Sequence, residues 1–68
     1  MKLKAIKDAV RARDYKLIAE GYCELREEGL SDRTIYRFVG LPVEPEMTLE
    51  QWADLVQVAI LRHPPKVG

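Results

Sequence analysis

Few residues in this chain of 68 are of a type and spacing that could do covalent chemistry. Cys23 is the single cysteine and His63 the single histidine, so an intrachain disulfide and a zinc site of the usual Cys/His kind are excluded. Cys23 stands between glutamates, whose negative charge raises a thiol pKa, and it reads as a small core residue. His63 falls in a proline-flanked tail. Glu27-Glu28 and Glu44/Glu46 are carboxylate pairs without a nucleophile or a glycine-rich loop to work with, and they read as exposed acidic faces. The expectation is a binding protein and not an enzyme, with no metal, cofactor or small-molecule ligand.

Residues suited to recognition are concentrated between two Gly-Leu pairs, Gly29-Leu30 and Gly40-Leu41. Here Arg33, Thr34, Tyr36 and Arg37 give a short helix a basic, aromatic outer face. An α-helix fits the major groove of DNA, and arginine pairs bidentately with guanine. Lys4, Lys7 and Arg11, near the N-terminus, could add phosphate contacts.

All of these residues must be positioned by helices. Leu3, Ile6 and Val10 follow helical spacing, as do Tyr15, Ile18, Tyr22 and Leu25. The step from Val10 to Tyr15 slips the apolar stripe. The expectation is a near-continuous helix over about 2–28; the alternative is a break near 13–14, with Asp14 capping a second helix. Gly21 inside that helix suggests close approach of another helix. Gly29 is placed as a left-handed residue after the helix, with Leu30 folding back on Leu25. Ser31 then caps a helix over 31–39, which Gly40 should end in the same left-handed way, with Leu41 folding back on Tyr36 and Pro42 preventing continuation. Residues 42–46 form a stiff acidic connector. Thr48 and Gln51 have capping-box spacing, and Met47 and Trp52 suit a hydrophobic staple, so the last helix runs over about 48–62 and stops before Pro64-Pro65. The fold class is all-α, a small three- to four-helix domain spanning 1–68.

The run Gly29-Leu30-Ser31-Asp32-Arg33-Thr34-Ile35-Tyr36-Arg37 resembles the turn and recognition helix of bacterial helix-turn-helix regulators, over about residues 21–41. The resemblance makes Gly29 the turn glycine and Ser31 the cap, where phosphate contacts are common. It turns Leu30 and Ile35 inward, and it presents Arg33, Thr34, Tyr36 and Arg37 to DNA. It implies a small transcription regulator of bacterial or mobile-element source. The chain departs from that pattern at Leu25, where a small residue is usual, and at Glu24 and Glu28, where apolar residues are usual. Glu27, Glu28 and Asp32 would also put negative charge beside the phosphates. Taking Gly40-Leu41-Pro42 as the turn instead separates the helices by seven residues and gives the reading helix Glu50 and Asp54, which does not suit DNA.

Charge and apolar content frame a second reading. Eleven Lys/Arg balance eleven Asp/Glu, which argues against indiscriminate coating of nucleic acid. The charges are segregated, however: residues 1–16 are mostly basic, and residues 20–28 and 44–54 mostly acidic. Residues 55–61 are apolar nearly all round, so Trp52, Leu55, Val56, Ala59 and Ile60 are expected to meet a second copy or another protein. The alternative to DNA is therefore a helical adaptor or inhibitor. In that case Ile35 and Phe38 fill the core, Tyr36 pads its edge, and Arg33 and Arg37 are simply solvated. The absence of a long apolar stretch and the lone thiol suit a reducing cytoplasm. A basic face combining Arg33, Tyr36 and Arg37 with Lys4, Lys7 and Arg11 would favour DNA; Glu24, Glu27 and Glu28 on that face would favour protein.

Overall fold

Asp14, Ser31 and Thr48 each offer a side-chain oxygen to an unpaired N–H at the start of a helix, and these three caps divide the chain. The computed structural model describes residues 2–41 and 46–64. It contains α1 (Lys2–Ala12), α2 (Tyr15–Glu27), α3 (Asp32–Val39) and α4 (Leu49–Arg62), with no strand among the described residues. The fold is all-α. Residues 42–45 of the expected connector and Pro65 of the expected stop lie outside the described residues. No described helix is long and apolar enough to cross a membrane.

The near-continuous first helix does not occur; the alternative, a break near 13–14 with Asp14 capping a second helix, does. Arg13 takes a left-handed φ of 55°, and the N–H groups of Arg13 and Asp14 bond back to the Val10 and Ala9 carbonyls at 3.2 and 2.9 Å. This is a Schellman stop built on arginine, and Asp14 then caps α2 by accepting from the Leu17 N–H. The reason is tertiary. The break folds α2 back on α1, so that Ile6 packs over Gly21, where an added Cβ would lie 3.2 Å from the Ile6 Cβ. Gly21 thus marks a close helix approach, as expected.

The second stop follows expectation: Gly29 has φ 101°, and Leu30 bonds back to the Leu25 carbonyl at 3.1 Å. The third is different. Gly40 is right-handed, φ −81°, so no left-handed residue is needed there. Its glycine is required by space, because a Cβ would meet the Tyr36 ring at 2.7 Å. Leu41 does fold back, its N–H bonding the Tyr36 carbonyl at 3.0 Å. α4 begins with the full capping box of Thr48 and Gln51, and Met47 and Trp52 are both buried.

The core gathers Ile6, Ala9 and Val10 from α1, Ile18, Ala19 and Leu25 from α2, Ile35 and Val39 from α3, and Trp52, Val56 and Ala59 from α4, with Met47 between α3 and α4. α1 packs on α2 and α3, and α4 packs on α2. Contact between α2 and α3 is slight by comparison, in keeping with Leu25 where a small residue would permit a close crossing.

Candidate nucleic-acid interface

The eight residues of α3 divide by face. Ile35 and Val39, four apart, are fully buried and fix the inward line. Asp32 sits at the first helical position, where its charge suits the helix dipole. Its Oδ1 accepts from the Tyr22 hydroxyl at 2.9 Å and from Trp52 Nε1 at 3.0 Å. The acid that would oppose phosphate is therefore turned toward α2 and α4.

Two of the expected DNA-facing residues are drawn off by internal contacts. Tyr36 is half-buried, its hydroxyl donates to the Met47 carbonyl at 2.7 Å, and its ring packs 6.1 Å from that of Trp52. Its hydroxyl and ring are engaged inside the fold, because it follows the buried Ile35 and lies toward the same side of the helix. Thr34 is half-buried, and its hydroxyl is engaged with that of Ser31 at 2.8 Å. Ser31, Arg33 and Arg37 remain exposed. Ser31 also accepts from the Thr34 N–H, which makes it the expected cap.

Phe38 reverses its expected place. It is 58% exposed and lies in a groove between α1 and α3 with Leu3, Lys4, Lys7, Asp8 and Arg11. Spacing from Ile35 suggested the core, but Val39 takes that position, leaving Phe38 on the flank toward α1. The lysine and arginine stems can cover apolar surface there while their charges stay in water. Phe38 is thus brought beside the basic residues of α1, while Arg33 and Arg37 lie outside the lining of that groove. Glu20, Glu24 and Glu27 line a different groove, between α2 and the end of α4, with Cys23, Lys16 and Arg62.

Trp52, Val56 and Ala59, expected at a partner interface, are buried in the protein's own core. Small domains need such a core, and α2 covers the face of α4 that carries them. Leu55 and Ile60 are half-buried against the same core. What α4 leaves outside is Leu61, 73% exposed, with Val58 and Leu49. Comparison with protein-family models, with curated proteins and with solved structures finds no match for this chain.

Cys23, expected in the core, is half-buried and lines the groove between α2 and α4, because its helical phase sets it beside the buried line of Ile18, Ala19 and Leu25 and not on it. The Tyr22 hydroxyl is pushed up to about 12 by burial first, then by its hydrogen bond to Asp32 and the charge of that carboxylate. Burial and then Glu27 raise the Cys23 thiol, which weakens it as a nucleophile. Among the described residues no group of three His, Cys, Asp or Glu side chains is arranged to hold a metal. Sequence reasoning missed Asp32 as an anchor because its partners lie 10 and 20 residues away. The exposure of Phe38 had a signal in the helical phase: residues 32, 35, 36 and 39 share the inward side, and 38 does not.

Proposed function

We propose that this protein is a small DNA-binding regulator that meets duplex DNA through α3 and the basic side of α1. The observation that carries the reading is the α1–α3 groove. It sets Lys4, Lys7 and Arg11 beside Phe38 of α3, and none of the α2 glutamates is among the residues that line it, although Glu20 and Glu24 border α1 on its other side at Ala5 and Ile6. The inward turn of Asp32 supports it further, since it removes one acid from the surface that would face phosphate.

Roles divide by position. Arg33 and Arg37, one helical turn apart, are the candidates for base edges. Lys4, Lys7 and Arg11 supply phosphate contacts that set orientation without carrying sequence information; the Ser31 hydroxyl is engaged as the cap of α3. No catalytic role is assigned to any residue.

Mobility shifts with mixed-sequence duplex at low salt and tens of micromolar protein test the reading. Three phosphate-contacting cations imply a log–log salt slope of about −2.7. Arg37→Ala should weaken binding by about fivefold or more. Absence of any shift would remove duplex DNA as the ligand. The second reading, a protein partner, is favoured by Leu61, Val58 and Leu49, which leave α4 with apolar surface outside the core.

A further inference from the structure

Phe38 is the only exposed Phe, Tyr or Trp side chain among the described residues, and its surroundings are predominantly basic. The groove it occupies carries Lys4, Lys7 and Arg11 against the single carboxylate of Asp8, with Leu3 as the other apolar wall. An aromatic ring ringed by cations is complementary to a nucleotide: the ring matches the π-face of a base, and the cations match its flanking phosphates. A base within a duplex cannot use such a ring, because both its faces are already stacked. An unpaired base can.

We propose that the α1–α3 groove binds single-stranded DNA, with an unpaired base stacked on Phe38 and neighbouring phosphates on Lys4, Lys7 and Arg11. This rests on the reading of the face as a nucleic-acid surface and adds a ligand that duplex recognition by Arg33 and Arg37 does not require. At a junction, Arg33 and Arg37 stay on the duplex, and Lys4, Lys7 and Arg11 hold the phosphates of the first unpaired residues in place of duplex phosphates. Stacking is tolerant of sequence, since every base has a π-face.

The test is fluorescence anisotropy at one salt concentration with three labelled probes: a blunt duplex, the same duplex with an oligo-dT overhang, and oligo-dT alone. The wild-type protein should bind the overhang duplex at least about fivefold more tightly than the blunt one. Phe38→Ala should lose that gain and leave blunt-duplex affinity unchanged. Phe38→Leu should lose it too, because leucine is apolar but offers no ring. Phe38→Trp should keep the gain, and its emission should be quenched by oligo-dT; the buried Trp52 gives a constant background. Circular dichroism checks that each variant retains its helices, which an exposed position should allow.

An overhang that adds nothing, or a gain that survives Phe38→Leu, overturns the stacking site and leaves duplex binding standing. Binding of oligo-dT without blunt-duplex binding overturns the duplex reading and supports the groove. Failure of all three probes overturns both.

Discussion

One carboxylate oxygen, Oδ1 of Asp32, receives both the Tyr22 hydroxyl and the Trp52 indole N–H, so α2, α3 and α4 meet on a single residue. Bonds to an ionised acceptor are worth more than neutral ones, and removing the acceptor leaves a buried indole N–H unpaired. Asp32→Ala should therefore cost about 2–3 kcal/mol in urea unfolding, and Tyr22→Phe about 1 kcal/mol. The two should not add, since they share a bond. Alkaline pH separates the roles further. The Tyr22 hydroxyl holds its proton to about 12 in the fold against 10.0 ordinarily. The folded state therefore binds that proton more tightly: the stabilisation is complete below pH 10 and is lost as pH rises toward 12. Urea midpoints at pH 9 and 11.5 should differ less in Tyr22→Phe than in the wild type. Tyr22, Asp32 and Trp52 were all conspicuous in the sequence, but as separate residues. Trp52 and Tyr36 resembled interface anchors because a buried aromatic and an exposed one share the same letter. The acceptors that hold them, Asp32 and the Met47 carbonyl, are supplied by other parts of the chain.

Helix ends show why some element boundaries were legible and others were not. Gly29, Ser31, Thr48 and Gln51 act within a few residues of themselves, so their roles follow from local spacing. The stop at Arg13 has no such local mark. A left-handed arginine costs about 1–2 kcal/mol, and the packing of α1 on α2 must outweigh it. The slipped apolar stripe between Val10 and Tyr15 and the capping residue Asp14 hinted at the break. Gly40 was legible as a stop but not in its reason, because the Tyr36 ring that excludes a Cβ is held by Met47, eleven residues on. The three positions should respond differently to substitution. Arg13→Gly should stabilise by about 0.5–1 kcal/mol, since relief of the left-handed strain exceeds the bond its guanidinium makes to the Val10 carbonyl. Gly29→Ala has open space around it but the wrong φ, and should cost about 1 kcal/mol. Gly40→Ala has an ordinary φ but a Cβ 2.7 Å from a tethered ring, and should cost about 2 kcal/mol. Pairing each alanine change with Tyr36→Leu, which removes the ring, should rescue Gly40→Ala and leave the Gly29→Ala cost in place.

At the scale of the molecule, the question is whether one copy is enough. Helix-turn-helix readers that use two half-sites do so as two-fold dimers, and a stable interface of ordinary size buries about 800 Å² per partner. The apolar run over residues 55–61 suggested such a surface in the sequence, yet most of that surface is consumed internally. Trp52, Val56 and Ala59 belong to the core, and Leu55 and Ile60 border it. A dimer through α4 must therefore be built on Val58 and Leu61, which lie three residues apart on the outward side. Leu61→Glu tests this directly, because a residue 73% exposed can change without disturbing the core. If α4 joins two copies, sedimentation of the wild type at micromolar concentration gives a dimer mass, and Leu61→Glu gives a monomer of unchanged helicity. The same change should then weaken duplex binding and reduce the salt slope by about half, since each complex would neutralise half the phosphates. A wild-type protein that stays monomeric to about 100 μM would show that interface to be too small. Duplex binding would then be the work of one α3, and its salt slope should be the same for the wild type and Leu61→Glu.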